Sequence, residues 1–413
     1  MTPARTLADW LAYIEKQHPQ SIALGLDRVR AVSGKLAIEI ACPVITVGGT
    51  NGKGSTCAML ESMLQAGGYR AGLYTSPHLR RYNERVRIGG REVGDAPLCE
   101  GFAAVEAARG EVPLTYFEFG TLAALYLFSR SKLEAAILEI GLGGRLDAVN
   151  VVDADCAVLT SIGIDHVEFL GATREEIGRE KAGIFRPGKP AIVGDPGPPE
   201  TVLTANADLQ LIGRDFGYES QGTQWAYWGP GGKRSGLAHP ALRGAVQLRN
   251  ASAALAALDC LRDRLPLAMQ DVRRGLAEVS LPGRFQVLPG RPLVILDVAH
   301  NPEAAAVLAA GLGASGYAPE TIAVVGMLKD KDIAGVLRAV APRITRWHFA
   351  SLQGPRGASA ARLGEALSEF DSTTPRTEHP DVAQALAAAK KEAGENDKIV
   401  VFGSFLTVAD AYG

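Results

Sequence analysis

The sequence predicts an α/β protein with a P-loop ATPase domain on a parallel sheet, followed by a smaller Rossmann-like α/β domain. Two observations predict this class. A glycine-rich loop joins an apolar strand to a helix within residues 44–64. Strand-like apolar runs then alternate with helical patterns along the rest of the chain. This alternation is typical of doubly wound parallel sheets, because each crossover helix covers one face of the sheet.

The glycine-rich loop, residues 48–55, is the most informative feature of the chain. It follows the apolar run 44–47 and precedes apolar residues at helical spacing from Met59 to Leu64. Its glycines let backbone N–H groups turn toward an anion, and the helix N-terminus and Lys53 add positive charge. The alternative is a mere tight turn, and Gly54 departs from the usual P-loop by separating Lys53 from Ser55. The loop predicts an ATP site whose contacts are Thr50, Asn51, Gly52, Lys53, Gly54 and Ser55.

Two series of strands indicate two domains. The first series includes residues 136–140 and 156–160, and the second begins at 293–297 and continues through 322–326 to 399–403. The Pro- and Gly-rich stretch 281–292 between them is typical of a linker. We therefore predict domains 1–288 and 289–413. Residues 194–199 and 229–236 are predicted to be surface turns of the first domain.

Bulk composition narrows the function classes. With 413 residues, two domains are expected, and 47% apolar residues can fill both cores. The 43 basic and 45 acidic residues are mixed along the chain, which favours small-molecule partners over nucleic acid or a membrane. No signal-type segment or run of about 20 apolar residues is present, so a cytoplasmic location is expected. Five scattered cysteines predict neither disulfides nor a zinc site.

Polar side chains stand at three strand ends of the first domain. Ser76 follows the run 72–75, Glu139 lies in an apolar run, and His166 follows Asp165 after another strand. Taken singly, His166 is typical of a structural histidine and Ser76 of a turn. A carboxylate in an apolar strand is costly unless it is paired or bound to a cation. Beside a phosphate loop, hard oxygen ligands and one imidazole suit Mg²⁺ bridging ATP phosphates.

Lys181 falls on the apolar face of a predicted helix, between Ile177 and Ile184. One interpretation is a buried neutral amine, which can bind CO₂ as a carbamate and become an oxygen ligand for metal. The other is an aliphatic stem that reaches water with its ammonium group. Spacing alone favours the second interpretation.

The second series of strands adds further candidates. The strand ending at Asp297 is followed by His300 and by Pro302, which is suited to open a helix. Asn250 begins an alanine-rich helix, where a cap is the default interpretation. Arg284 in the linker is equally typical of a surface charge.

Together these motifs resemble the folylpolyglutamate synthase family, and particularly its bacterial members that are also dihydrofolate synthases, within the superfamily of muramyl amino-acid ligases. The resemblance spans nearly the whole chain. The motifs that carry it are Leu24-Gly-Leu-Asp-Arg28, Gly49-Thr-Asn-Gly-Lys-Gly54, Thr75-Ser-Pro-His-Leu79, Thr115-Tyr-Phe-Glu-Phe119, Glu139-Ile-Gly-Leu-Gly-Gly-Arg-Leu-Asp147, Asp165-His166, Arg179-Glu-Lys-Ala-Gly-Ile184, Pro282-Gly-Arg284, Asp297-Val-Ala-His-Asn-Pro302 and Gly326-Met-Leu-Lys-Asp-Lys-Asp332. Val149 stands where Thr is common in the family, which bears on the pterin pocket.

The resemblance implies a role for each candidate residue. Thr50 to Lys53 hold ATP phosphates, and Ser76, Glu139 and His166 ligate Mg²⁺ at two sites. Lys181 falls on the family's carbamylated lysine, which reverses the preference from spacing. ATP-binding positions are Asn250, Arg284 and Asp297, and His300 is expected near glutamate. Pterin-binding segments are Ile22, Ala23 and Leu24; Thr115, Tyr116, Phe117 and Glu118; and Leu146, Asp147 and Ala148.

The implied reaction is ATP-dependent addition of L-glutamate to dihydropteroate and to reduced folates through an acyl phosphate. The implied division of labour gives ATP and pterin binding to residues 1–288 and glutamate ligation to residues 289–413, across a domain cleft, in a monomer. The alternatives are a monofunctional folylpolyglutamate synthase, a muramyl-peptide ligase with a different acceptor, and a P-loop module that binds partners without forming bonds. The segment 115–119 and the segment 76–79 favour folate over a muramyl acceptor.

Overall fold

The computed structural model describes residues 5–20, 22–244 and 246–412. The chain forms two compact units, Met1–Ala241 with Leu248–Val279, and Leu242–Gln247 with Ser280–Gly413. The main segment of the second unit begins at Ser280, whereas linker composition placed the division at 288. The reason is that residues 286–288 form a strand that pairs with the first strand after the linker.

The first unit contains ten helices and eleven strands among its described residues. The helices are α1 (Leu7–Ile14), α2 (Asp27–Leu36), α3 (Lys53–Ala66), α4 (Asp95–Arg109), α5 (Tyr116–Ser129), α6 (Val167–Leu170), α7 (Arg174–Ala182), α8 (Glu200–Leu203), α9 (Val246–Cys260, which begins in the other unit's segment) and α10 (Met269–Glu278). The strands are β1 (Val44–Gly48), β2 (Ala71–Tyr74), β3 (Val86–Ile88), β4 (Arg91–Glu92), β5 (Ala135–Glu139), β6 (Cys156–Leu159), β7 (Pro190–Val193), β8 (Asp208–Leu211), β9 (Gly217–Gln221), β10 (Gln224–Gly229) and β11 (Gly232–Ala238). Short 3₁₀ helices span Tyr82–Arg85 and Ala148–Val151.

An eight-stranded sheet in the order β4-β3-β2-β5-β1-β6-β7-β8 forms the centre of this unit. The six strands β2, β5, β1, β6, β7 and β8 run parallel. Strands β3 and β4 are antiparallel and extend the sheet at the β2 edge. All residues of β1, β5 and β6 are buried, as expected for strands covered on both faces. Val47 lies opposite Glu139, so the phosphate loop and Glu139 leave neighbouring strands at the same edge. Open parallel sheets bind their ligands at this edge.

A second, antiparallel sheet was not predicted. It has the order β11-β10-β9, and β11 occupies most of the stretch 229–236 that we predicted to be a surface turn. That prediction is wrong because it relied on the glycines of this stretch. The strand has an apolar pattern only where the hairpin packs, so the pattern is easily missed. Trp225 and Tyr227 of β10 are fully buried, which explains why this hairpin is ordered.

The second unit contains a six-stranded sheet in the order β12-β13-β17-β14-β15-β16, parallel except for β12. Its strands are β12 (Gln286–Leu288), β13 (Leu293–Leu296), β14 (Thr321–Val325), β15 (Arg346–Ala350), β16 (Arg376–His379) and β17 (Lys398–Phe402), and its helices are α11 (Pro302–Ala314), α12 (Ile333–Val340), α13 (Ala360–Ser368), α14 (Val382–Glu392) and α15 (Phe405–Ala411), with a 3₁₀ turn at Ala341–Arg343. The predicted strands at 293–297, 322–326 and 399–403 match three of these within a residue or two. Each unit has its own apolar core.

Helix-start chemistry explains several boundaries. Thr115 and Thr173 cap α5 and α7 through reciprocal bonds with Glu118 and Glu176. Asn301 caps α11, which has Pro302 in its first turn as predicted. Throughout the described ranges, the helices are too short or too polar to cross a membrane.

Candidate functional site

The phosphate loop is fixed to the end of β6 by hydrogen bonds. The Thr50 N–H donates to the Ser161 carbonyl at 2.8 Å, and the Asn51 N–H donates to Ser161 Oγ at 3.0 Å. Thr160 Oγ1 donates to the Asn51 carbonyl at 2.6 Å. The sequence predicted that the loop's N–H groups turn toward an anion. For Thr50 and Asn51 the structure differs, because these N–H groups hold the loop's shape.

The donors that remain for an anion lie at the start of α3. The first intrahelical bond is Thr56 N–H to the Gly52 carbonyl at 3.0 Å, so the N–H groups of Lys53, Gly54 and Ser55 precede it. Gly52 has φ +87° and no side chain that could cap them. These N–H groups and the positive end of the helix form a phosphate-binding arrangement.

Lys53 extends back over the loop. Its Nζ donates to the Gly49 carbonyl at 2.9 Å and to the Thr50 carbonyl at 3.2 Å. Gly49 has φ +145°, and a Cβ there would lie 2.0 Å from Thr160 Oγ1. Glycine is therefore required at 49 for the loop to pack against β6.

Asn250 contacts the loop, although it does not cap a helix. It lies inside α9, which begins at Val246, and only 3% of its surface is exposed. A Cβ on Gly52 would lie 2.7 Å from Asn250 Oδ1, so the amide packs directly on the turn. The default interpretation of Asn250 as a helix cap is wrong. Its position beside the phosphate loop accords with the ATP-binding role implied by the family resemblance.

Two of the predicted metal ligands lie together. Ser76 N–H donates to Glu139 Oε2 at 3.0 Å, which holds the carboxylate at the carboxyl end of β5. Glu139 is 5% exposed. Burial raises the pKa of the Cys57 thiol in α3, and the charges of Glu139 and Lys53 act on the same thiol, so both groups lie near the start of that helix.

His166 has a strained backbone. Its φ of +53° lies in the left-handed region, which non-glycine residues adopt mainly where function or packing demands it. Asp165 Oδ1 accepts the His166 N–H at 2.9 Å, and Asp165 Oδ2 lies 4.0 Å from His166 Nε2. The side chain of His166 is 31% exposed and can reach a ligand.

Lys181 and Asp147 are ionisable groups buried near this edge. Burial, followed by the charge of Lys53, lowers the pKa of Lys181 from 10.5 to about 7, against the opposing charges of Asp165 and Asp147. Burial raises the pKa of Asp147 from 3.8 to about 7, although backbone N–H groups and Lys53 oppose the change. Strongly shifted groups beside a phosphate loop are typical of a functional site.

The donor set fits a divalent cation in part. A hydroxyl, a carboxylate and an imidazole at Ser76, Glu139 and His166 are ligand types that Mg²⁺ and Mn²⁺ accept. Across the described ranges, no group of three or more His, Cys, Asp and Glu side chains could hold a metal ion by itself. A cation here therefore relies on ligands beyond such a cluster, such as serine, a modified lysine or nucleotide phosphates.

The three predicted pterin segments are joined by residues that sequence analysis did not single out as functional. Arg28 donates to Glu118 Oε1 from Nη2 at 2.8 Å and from Nε at 3.1 Å, and its Nη2 also donates to the Ala23 carbonyl at 2.8 Å. Gly25 N–H donates to the Leu146 carbonyl at 3.2 Å. The segment 22–24 is thereby held against both 115–118 and 146–148. The Leu24–Arg28 motif was the only signal available for these links.

The side chains of these segments have different environments. Thr115, Glu118, Asp147 and Ala148 are buried, whereas Ile22, Ala23, Leu24, Tyr116 and Phe117 are half-buried and Leu146 is also partly exposed. Asp147 accepts N–H groups from Leu142 at 2.8 Å and Val149 at 3.0 Å. The structure thus brings the three segments together around a partly apolar, aromatic surface.

In the second unit, Asp297 organises the start of β12. Its oxygens accept the Phe285 N–H and the Ala299 N–H, both at 2.8 Å, and burial raises its pKa while the charge of Arg284 lowers it. Arg284 lies 5.1 Å from the Phe405 ring, and the His300 ring lies 6.2 Å from the same ring. Arg284, Asp297 and His300 therefore gather at the carboxyl end of β13.

Comparison with known families matches both units. The Mur ligase middle domain matches residues 47–258, and the Mur ligase glutamate ligase domain matches residues 283–405. The first match contains the phosphate loop, Ser76, Glu139, His166, Lys181 and Asn250, and the second contains Arg284, Asp297 and His300.

Individual relatives resemble the chain over nearly its full length. The dihydrofolate synthase/folylpolyglutamate synthase of Escherichia coli is 48% identical, with 98% of this chain and 94% of the relative covered. A structure of E. coli FolC in complex with DHPP and ADP has a TM-score of 0.94 and 47% identity, covering 99% and 97% of the two chains. The Yersinia pestis bifunctional enzyme complexed with AMPPNP and Mn ion has a TM-score of 0.90 and 47% identity, covering 100% and 98%. The predicted fold class and family are confirmed: the chain belongs to the dihydrofolate synthase/folylpolyglutamate synthase family of Mur ligases.

Proposed function

We propose that this protein is a bifunctional ATP-dependent amide ligase. It joins L-glutamate to dihydropteroate, which gives dihydrofolate, and to reduced folates, which extends a polyglutamate chain. One observation carries the proposal: the identity to the bifunctional E. coli enzyme extends over 98% of this chain and so includes both units. Ligands in the relatives' structures, ADP with DHPP and AMPPNP with Mn, are of the classes that this reaction requires.

The chemistry proceeds in two steps. The acceptor carboxylate attacks the γ-phosphate of ATP to form an acyl phosphate and ADP. The amine of glutamate then attacks the acyl carbon, and phosphate leaves as the amide forms. The protein needs no nucleophile of its own, so its contribution is positioning and stabilisation of spread negative charge.

The roles of the residues follow from their chemistry. Lys53 and the N–H groups at the start of α3 bind phosphate oxygens. Ser76, Glu139 and His166 hold a divalent cation, which supplies positive charge beside the phosphates. The segments 22–24, 115–118 and 146–148 bind the acceptor. Asn250, Arg284 and Asp297 bind the nucleotide, and His300 orients glutamate.

One assay tests the proposed function. Purified protein is given ATP, Mg²⁺ and glutamate with dihydropteroate, with tetrahydrofolate, or with neither, and ADP and amide product are measured. We expect turnover with either acceptor and little without one. Turnover with tetrahydrofolate alone would indicate the monofunctional alternative. Absence of turnover with both acceptors would contradict the proposal and favour the muramyl-ligase alternative.

The contribution of the second unit has its own test. Asp297→Ala and His300→Ala should each reduce turnover although the phosphate loop is untouched. His300→Ala should raise KM for glutamate more than KM for ATP, and Asp297→Ala should do the reverse. If both variants kept normal kinetics, the proposed roles at the end of β13 would be wrong.

We also propose that Lys181 carries a carbamate. Lys181 is 4% exposed, and its low pKa leaves much of the amine neutral at neutral pH. A neutral amine reacts with CO₂ to give a carbamate and a proton, which converts a buried cation into an anionic oxygen ligand. Such a ligand would complete a cation site beside His166 that the unmodified side chains do not supply.

The carbamate can be detected without measuring activity. Protein equilibrated with ¹³C-bicarbonate should show a carbamate carbon signal by NMR that is absent in Lys181→Ala. Lys181→Glu should keep more activity than Lys181→Ala, because it returns an anion near the same place, and small carboxylates should partly rescue Lys181→Ala. Identical spectra from the wild type and Lys181→Ala would refute the modification and leave the ligase proposal standing.

A further inference from the structure

Arg85 is a buried cation at the end of the 3₁₀ helix that precedes β3. It is 8% exposed. Its Nε donates to His78 Nδ1 at 2.8 Å, and its guanidinium lies 5.3 Å from the Tyr82 ring and 5.6 Å from the Tyr116 ring. The Tyr74 hydroxyl also faces it. Within the described part of the chain, no carboxylate forms an ion pair with this guanidinium.

The neighbouring arginines differ from Arg85 in this respect. Arg81 pairs with Glu92 at 2.7 Å, and Arg87 pairs with Glu61 at 3.3 Å. The carboxylate next to Arg85 in sequence, Glu84, instead accepts the backbone N–H groups of Leu79, Arg80 and Arg81 at 2.6 to 2.8 Å. The local fold thus provides a counterion for Arg81 and Arg87 and, within the described residues, none for Arg85. A buried guanidinium normally requires an anion, because desolvation of a charge is costly.

The surroundings of Arg85 connect it to the acceptor-binding segments. Tyr116, whose ring faces the guanidinium, belongs to the segment 115–118. His78 lies two residues after Ser76, the proposed metal ligand. Because His78 Nδ1 accepts a hydrogen bond from Arg85, a neutral His78 carries its proton on Nε2 and can donate it.

We infer that Arg85, assisted by His78, binds the non-reacting carboxylate of an acceptor that already carries glutamate. A guanidinium presents parallel N–H donors that match a carboxylate. This inference rests on the proposed function and deepens it. Dihydropteroate has a single carboxylate, which is the one that reacts, whereas a folate ends in glutamate and has two. Arg85 is therefore a residue that distinguishes polyglutamylation from dihydrofolate synthesis.

The inference is tested by removing either partner of the contact. Arg85→Gln should raise KM for tetrahydrofolate about tenfold to a hundredfold, the effect of one hydrogen bond to a charged group. KM for dihydropteroate and for ATP should change less than about threefold. A tetrahydrofolate analogue with a carboxamide in place of the non-reacting carboxylate should show the same increase with the wild type. Arg85→Gln should not discriminate between that analogue and tetrahydrofolate.

Three controls keep the outcome interpretable. Arg81→Gln removes an exposed charge from the same segment and should leave both KM values unchanged. Arg85→Lys keeps the charge without the forked geometry and should show an intermediate KM for tetrahydrofolate. Thermal melting shows whether Arg85→Gln is folded, and the analogue experiment on the wild type stands even if it is not.

Either of two results would overturn the inference. One is a wild type that uses the carboxamide analogue as well as tetrahydrofolate. The other is an Arg85→Gln variant whose KM rises equally for both acceptors, which would assign the guanidinium to a feature that they share. Both differ from a failure of the proposed function, in which the wild type would form product from neither acceptor.

Discussion

Two buried charged groups in the first unit differ in whether an opposite charge is paired with them. Asp259 of α9 is 4% exposed and is fully paired: Arg234 donates to it at 2.6 and 3.1 Å, Tyr227 at 2.7 Å and the Gly231 N–H at 3.0 Å. Lys181 of α7 is equally buried, but within the described residues it forms no ion pair, and its pKa falls to about 7.

The difference separates structural charges from charges available for chemistry. In the Asp259 cluster, burial acts to lower the pKa of Arg234, but the hydrogen bond to Asp259 outweighs it and raises that pKa above its ordinary value, so the guanidinium stays charged. Within the described residues, neither Lys181 nor Asp147 forms an ion pair, although Asp147 accepts two backbone N–H groups, and burial brings the pKa of each to about 7. Pairing fixes protonation and supports the fold, whereas a buried unpaired group is left close to a change of protonation state.

The largest expected effect is on stability. Arg234→Met should lower the free energy of unfolding by about 3 to 5 kcal/mol, because it leaves the carboxylate of Asp259 buried without its cation. Lys233→Met removes the neighbouring exposed pair with Glu219 and should cost at most about 1 kcal/mol. Urea unfolding measures both. Equal midpoints for the two variants would show that the Asp259 cluster is not structural.

The converse result is expected at the phosphate loop. Lys53→Ala and Glu139→Ala should each slow ligation by two to three decades, about 3 to 4 kcal/mol of transition-state stabilisation, with a melting temperature near that of the wild type. Lys189→Ala, which removes an exposed pair with Asp155, is the matched control for loss of a lysine. Near-normal turnover in either site variant would contradict the site assignment.

A pH effect is expected from Lys181. Its lowered pKa means that the amine is neutral above about 7 and protonated below, and only the neutral amine takes up CO₂. Activity at fixed bicarbonate should therefore fall about tenfold per pH unit below about 7. Lys181→Glu should lack this limb of the profile. The range from pH 5.5 to 7 covers about one to two decades of proton concentration. Wild-type activity that stays constant over this range would contradict the role of Lys181.

The smallest effect concerns a paired site in the second unit. His348 of β15 is fully buried, its Nδ1 lies 2.9 Å from His379 Nε2, and its Nε2 lies 3.4 Å from Glu392 Oε2, beside Arg346. Burial lowers the pKa of His348 and of His379 below 6.5. Below pH 6.5 these two histidines are therefore protonated more readily in the unfolded chain than in the folded chain. Stability should therefore be full above about 6.5 and decline as pH falls.

The measurement is a pair of melting curves at neutral and mildly acidic pH. His348→Leu should reduce the acid-induced decrease in melting temperature, by a few degrees at most. His239→Leu, at an exposed histidine bonded to the Gly222 carbonyl, should leave that decrease unchanged. An acid-induced decrease that is the same in all three proteins would assign it to other groups.

The sequence by itself determined the identity and order of the local elements. Short-range patterns predicted the phosphate loop, the apolar strands β1, β5, β6, β13, β14 and β17, and the start of α11 at Pro302. They could do so because strand period and helix-start chemistry involve neighbours in the chain. The match of many motifs in family order also carried the prediction of fold class and family, which the comparisons confirmed.

Only the tertiary structure decided which groups are paired and which are not. Several of the decisive contacts join residues far apart in sequence: Ser161 accepts the N–H groups of Thr50 and Asn51, and Arg28 and Gly25 link the acceptor segments. The hairpin β10–β11 is local, but it is ordered through burial against the rest of the unit. No local pattern encodes such contacts. The pKa values of Lys181 and Asp147 depend on burial and on charges brought in by other elements, and so does the environment of Arg85, which has no ion pair among the described residues. Electrostatic character is a property of the packed environment, and a linear sequence specifies that environment only through the fold.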